Sequence, residues 1–134
     1  MNLPQALPVT SLVALPMTLL MVGLACRVAM LRIKNKIGLG VGSNKTLAMA
    51  MAAHGNAVEN IPLALLLFAL AERQAANNLL ISVCGVVFIL ARLINAWGVS
   101  RHAGQSVGRF YGIIFSWLVI VVLACSSLWL NLRS

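Results

Sequence analysis

Acidic side chains are almost missing from this sequence: Glu59 and Glu72 are the only two in 134 residues, against ten Lys and Arg. Charged residues of both signs together make up 9%, where a soluble domain carries about 25%, so a water-facing globular surface is excluded. Aromatic residues are sparse at 6%, with a single tyrosine. The formal charge of +8 therefore lacks the stacking partners of a nucleic-acid surface, and nucleic acid is not an expected partner. Cysteine forms no pattern either. Cys26, Cys84 and Cys125 each lie inside an apolar run, with no CxxC pair and no histidine at metal-ligand spacing, so neither a metal site nor a disulfide framework is expected. There is no internal repeat, low-complexity tract or heptad pattern. The N-terminus has no basic n-region, and a polytopic pattern follows the first apolar run, so that run does not read as a signal peptide; Leu24-Ala25-Cys26 is only a faint lipoprotein match.

What the sequence does have is apolar length. Hydrophobic residues make up 61% and mean hydropathy is +0.98. The runs divide into four predicted membrane helices, at about 9–30, 46–71, 79–97 and 109–130, each near the ~20 residues that a bilayer requires. This is an all-α membrane protein, a four-transmembrane-helix bundle forming one domain over residues 1–134. The connections are too short to hold a soluble domain, so function must reside in the membrane part.

Basic residues mark the span ends, where they meet anionic headgroups. The first link carries Arg32, Lys34, Lys36 and Lys45, the third carries Arg101 and Arg109, and the second only Arg73. Short loops rich in Lys and Arg face the cytoplasm, so the first and third loops are expected there and both termini on the opposite side. The glycine-rich stretch Gly38-Leu39-Gly40-Val41-Gly42 has no GKS or GxGxxG context and reads as a flexible loop.

Polar residues inside the spans point to a site, because a charge at the bilayer centre costs about 2.5–3.5 kcal/mol on insertion scales. Asn56 and Glu59 lie three residues apart on one face of the second helix, with Ala52 on the same stripe and His54 pointing largely away. Arg92 and Asn95 share a face of the third helix, and Arg109 opens the fourth. With alternate helices antiparallel, His54, Asn56, Arg92, Asn95, Arg109 and Arg32 fall in the cytoplasmic half of the bilayer, with Glu59 deepest. Six polar groups from four helices suit a polar, anionic ligand gripped by arginine forks. Each residue also has a plainer reading. Arg32 and Arg109 can snorkel to the interface, the asparagines can serve as interhelical glue, His54 can simply pack, and Glu59 with Arg92 can form a structural buried pair.

The segment His54-Gly55-Asn56-Ala57-Val58-Glu59-Asn60-Ile61-Pro62-Leu63-Ala64 resembles the second-helix signature of the MAPEG family, membrane-associated proteins in eicosanoid and glutathione metabolism. Leu31-Arg32-Ile33-Lys34-Asn35-Lys36-Ile37-Gly38-Leu39-Gly40 is similar to the stretch after the family's first helix. Ala91-Arg92-Leu93-Ile94-Asn95-Ala96-Trp97-Gly98 resembles the end of its third, and Arg109-Phe110-Tyr111-Gly112 the start of its fourth. Nearly the whole chain is covered in order, and the likeness is greatest to small bacterial inner-membrane members. The resemblance implies a homotrimer in the bacterial inner membrane that binds glutathione as co-substrate at subunit interfaces and acts on lipophilic small molecules. It further implies that Asn56 and Glu59 bind the peptide backbone and amino group, Arg32 and Arg92 the carboxylates, with His54 supporting the site and Asn95 lining it. Arg109 matches the catalytic arginine thought to stabilise the thiolate. The chain departs from the family pattern at Met49 and Ala52, where arginines are usual, at Asn95 in place of histidine, and at Val99 in place of tyrosine; these departures point away from eicosanoid synthesis. The expected activity is a glutathione-dependent transferase or peroxidase. The alternatives are a catalytically silent structural or lipid-binding protein of the same fold and, less in keeping with the residues, a proton-coupled exporter built on Glu59.

Overall fold

The computed structural model describes residues 6–74 and 76–133, and among them the regular structure is helical. The helices are α1 (Pro8–Asn35), α2 (Lys45–Arg73), α3 (Asn78–Arg101) and α4 (Val107–Arg133). All four are long and apolar enough to cross a bilayer. The 29 residues of α2 rise about 43 Å at 1.5 Å per residue, against a hydrocarbon layer of about 30 Å. Its last turn, with Glu72 and Arg73, therefore stands in the headgroup layer.

Local chemistry sets the helix ends. Asn44 caps α2 by accepting from the Leu47 backbone N–H at 2.9 Å, and Asn77 caps α3 by accepting from Leu79 at 2.9 Å and Leu80 at 3.3 Å. At the end of α1, Lys36 turns left-handed and Ile37 N–H returns to the carbonyl of Arg32 at 3.0 Å. The start of α1 has proline in its first turn and no side-chain cap from Leu7. Its free amides are met from another helix instead: Glu72 accepts from Val9 N at 2.8 Å, Thr10 N at 2.9 Å and Thr10 Oγ1 at 2.7 Å. A carboxylate at a helix N-terminus also opposes the positive end of its dipole. This contact fixes α1 and α2 as antiparallel neighbours.

Helices α2 and α3 each touch the other three, whereas α1 and α4 do not meet. The core lies along the α2–α3 seam, where Phe68 and Phe88 pack edge to face with centroids 6.0 Å apart, surrounded by Met17, Ile61, Ile81 and Leu123. By contrast α1 buries only Val13, Met17 and Leu24 of its 28 residues. Many large apolar side chains, among them Leu12, Leu15, Leu19, Val86, Trp97 and Trp129, are exposed instead, as suits a surface whose solvent is lipid. Arg101 lies 5.5 Å over the Trp97 ring and Arg133 4.1 Å over Trp129. These pairs sit at the end of α3 and the end of α4, hence at opposite faces of the bundle, as interfacial anchors do. The three cysteines are free thiols, Cys84 buried and the other two exposed.

Tight approach of α3 to α4 depends on glycine. A Cβ on Gly112 would lie 2.6 Å from the Asn95 Cβ and 2.7 Å from the Ala91 carbonyl oxygen, and one on Gly98 would lie 2.7 Å from the Arg109 backbone nitrogen. No side chain fits at either place, so the first turn of α4 is clamped against the last turns of α3.

Candidate functional site

That clamp is where the intramembrane polar residues gather. Arg92 is wholly buried, and its Nη2 donates to Asn56 Oδ1 at 2.5 Å and to Asn95 Oδ1 at 3.3 Å. Asn95, also wholly buried, donates through Nδ2 to the Arg109 carbonyl oxygen at 2.9 Å. On the other side of Arg92, the Asn56 carbonyl accepts from Asn60 Nδ2 at 2.8 Å, and Asn60 Oδ1 accepts from Trp117 Nε1 at 3.1 Å. The result is a polar chain that leaves α4 at Arg109, crosses α3 and α2, and returns to α4 at Trp117, about two turns further along. Arg92 keeps Nε and Nη1 buried without a hydrogen-bond partner among the described residues. Among the described residues no carboxylate reaches it, and Glu59 and Arg92 form no ion pair.

Arg109 and Trp117 both line one cavity of about 800 Å³, which runs along the outer face of α4 and under the α3–α4 connection. Gln105, Ser106, Tyr111 and Ile114 complete much of its wall. Backbone contacts hold Arg109 in place, its N–H donating to Ser106 Oγ at 3.2 Å and its carbonyl accepting from Asn95. Its guanidinium has no hydrogen-bond partner among the described residues, and so is free to meet a ligand. The cavity is mainly apolar with a cationic end, a lining suited to an amphiphilic guest.

Of the residues expected from the sequence, Asn56, Arg92, Asn95 and Arg109 are brought together; Arg32, His54 and Glu59 are not joined to them within one chain. Arg32 folds over its own loop. Its Nη1 donates to the carbonyls of Gly40 at 2.9 Å, Gly38 at 3.3 Å and Ile37 at 3.4 Å, and Nη2 meets Met51 Sδ at 3.1 Å. His54 is half-buried with no hydrogen bond among the described residues. Glu59 is exposed on the outside of the bundle at the midpoint of α2, fourteen residues from Lys45 and from Arg73, with Ala52 exposed on the same side.

Sequence reasoning passed over Asn60 and Trp117 as participants. Asn60 stands one turn after Asn56, a spacing that gives a signal; Trp117 gives none, because its partner lies on another helix.

The fold and the site together define a four-helix membrane protein with a buried arginine–asparagine chain opening onto an amphiphilic cavity. Residues 10–129 match the sequence model of the MAPEG family. The chain is also 30% identical over 121 residues to the inner membrane protein YecN of Escherichia coli strain K12, and equally to its counterpart in the O6:H1 strain, covering 90% of this chain and 91% of each relative. The chain belongs to the MAPEG family.

Proposed function

We propose that this protein is a membrane-bound, glutathione-dependent transferase or peroxidase acting on lipophilic electrophiles. One observation carries the reading: Arg109, whose guanidinium has no hydrogen-bond partner among the described residues, lines a mainly apolar cavity of about 800 Å³, with its backbone fixed through Ser106 and Asn95. A thiol with a pKa of about 8.5 is mostly protonated at neutral pH, and a cationic donor beside the sulfur favours the nucleophilic thiolate. In the transferase reaction the thiolate sulfur bonds to the electrophilic carbon, the leaving group departs with its electron pair, and the thiol proton passes to water. In the peroxidase reaction two thiols become a disulfide while the hydroperoxide becomes an alcohol and water. An electrophile dissolved in the bilayer reaches the cavity from the lipid side, since the cavity lies on the outer face of α4.

Glutathione carries net negative charge and one free ammonium. Arg92, whose Nε and Nη1 lack a partner among the described residues, is the charge suited to the peptide's carboxylates. It is wholly buried in the single chain, so the helices around it must part to admit them, and exposed Glu59 is suited to the ammonium. Glu59 faces outward at mid-bilayer, where an uncovered carboxylate is costly, which supports a homotrimer whose subunit interface covers that face and completes the site with Arg32 and His54. The protein would sit in a bacterial inner membrane, as the name of its relative says of that protein, with the first and third loops cytoplasmic and both termini opposite.

A second reading, a lipid-binding or structural protein of the same fold without turnover, draws support from Arg32, whose donors are taken by loop carbonyls. One experiment separates the two. Calorimetry of glutathione binding to the detergent-solubilised protein, with thiolate absorbance scanned from about pH 6 to 9 around the free-thiol pKa, should show saturable binding and thiolate below that pKa, lost in Arg109→Ala. No binding at millimolar glutathione by an intact assembly would leave the lipid-binding reading.

A further inference from the structure

Trp117 is exposed on the outer face of α4, yet its indole nitrogen is tied inward to Asn60 Oδ1 at 3.1 Å. Asn60 itself is 8% exposed, and its amide is fixed by the Asn56 carbonyl at 2.8 Å. Both halves of the asparagine side chain are therefore engaged, one along α2 and one across to α4. An indole pinned at its nitrogen keeps one rotamer, whereas a tryptophan lying free on a lipid-facing helix samples several. The pinned ring is a wall of the same cavity that Arg109 lines at its other end.

We propose that Asn60 is a positioning residue: it fixes the Trp117 indole as a rigid wall of the α4 cavity and so sets the shape of the lipophilic subsite. This rests on the cavity being the lipophilic half of the proposed site. Asn60 touches neither the thiol nor the electrophile; it acts through the ring, and the same asparagine reaches the backbone of Asn56, which holds Arg92. That contact goes to the Asn56 backbone carbonyl within α2, whereas Arg92 is held by the Asn56 side chain, so the role of Asn60 is confined to the apolar half of the site.

The test uses the full chain in lipid nanodiscs with Trp97→Phe and Trp129→Phe, so that Trp117 is the only indole. Ultraviolet resonance Raman of the indole N–H band should report a hydrogen-bonded nitrogen, and Asn60→Leu should shift the band to the unbonded position. Energy transfer from Trp117 to a conjugated-tetraene fatty acid, used as the probe, should then show about fivefold weaker binding, the loss of one hydrogen bond's worth of ordering. Trp117→Phe should weaken the probe's binding similarly when followed by the probe's own fluorescence, and combining it with Asn60→Leu should add little further. In turnover with glutathione, KM for the lipophilic electrophile should rise by a similar factor in Asn60→Leu while KM for glutathione stays within twofold. An unchanged Raman band in Asn60→Leu, or additive losses in the double variant, overturns the proposal. The spectroscopic and probe-binding arms need no glutathione chemistry, so failure of the transferase reading leaves them able to decide the role of Asn60.

Discussion

Arg92 is a buried guanidinium without a counter-ion among the described residues, held by two asparagine oxygens. Replacing it with alanine removes the Nη2 that donates to both, leaves Asn56 and Asn95 with unmet acceptors, and opens a void where a wholly buried side chain stood. The expected cost is about 2–4 kcal/mol, combining lost hydrogen bonds and void, measured as a fall in the unfolding midpoint of the detergent-solubilised protein. Arg109→Ala should behave differently, because its guanidinium supports nothing in the fold: the unfolding midpoint should move little while thiol turnover falls at least tenfold, read by conjugation rate under saturating glutathione. A large drop in stability with no drop in turnover would remove its catalytic role. At this scale the sequence was informative for some residues and silent for others. Asn56, Arg92 and Asn95 were legible as a group because helix periodicity and antiparallel order place them at one depth. The engagement of Arg32 by the carbonyls of Ile37, Gly38 and Gly40 was not, since it depends on the path of a glycine-rich loop that no periodicity constrains.

Elements are joined here by two devices of opposite kind. Between α3 and α4 the device is absence of side chains. Gly112→Ala would place a methyl 2.7 Å from the Ala91 carbonyl and 2.6 Å from the Asn95 Cβ, forcing the helices apart; overpacking of this kind costs about 1–3 kcal/mol. Because Asn95 holds the first turn of α4 through the Arg109 carbonyl, the variant should lose thiol activation along with stability, both measurable on one preparation. Between α1 and α2 the device is Glu72, whose carboxylate is the cap that α1 lacks. Burial alone would raise its pKa, but hydrogen bonds from the Thr10 backbone and hydroxyl and the Val9 backbone outweigh this and hold it below the usual carboxyl value. The folded pKa being lowered, the stabilisation is present above the ordinary carboxyl pKa of about 4.3 and is lost as pH falls through the folded value. Glu72→Gln should cost about 1 kcal/mol and should speed amide exchange at Val9 and Thr10. It should also flatten the acid-side pH dependence of that exchange, whereas an unaltered profile would show that Glu72 is not the cap. The four helices were legible as apolar runs bounded by basic and asparagine-rich links. This cap was not, because it joins residues more than sixty positions apart, and Glu72 reads in sequence as a turn residue.

At the scale of the molecule, the basic links and the outward charge on α2 have to be satisfied together. Lys34, Lys36 and Lys45 cluster on the α1–α2 connection and Arg101 ends α3, while the opposite face has Arg73 and Arg133. Charge bias in short loops orients such proteins, so in a cysteine-free background Ser43→Cys and Ala103→Cys should react with an impermeant maleimide only after cells are opened, and Arg73→Cys should react in intact cells. The proposed orientation would put the Arg109 end of the cavity near the cytoplasmic headgroups, the side from which a cytosolic thiol would be supplied. Glu59 then lies halfway through the bilayer on a face that the single chain leaves uncovered, alongside Ala52. A neighbouring subunit packed on this stripe would relieve the cost of a carboxylate in hydrocarbon. If the proposed trimer packs on this stripe, Ala52→Trp should break it, seen as a shift from trimer to monomer in native mass spectrometry, because a large ring cannot enter a packed subunit boundary. The same substitution on a lipid-facing surface would leave the mass unchanged, and an intact assembly in Ala52→Trp would place the boundary elsewhere, leaving Glu59 to be met by water drawn into the bilayer.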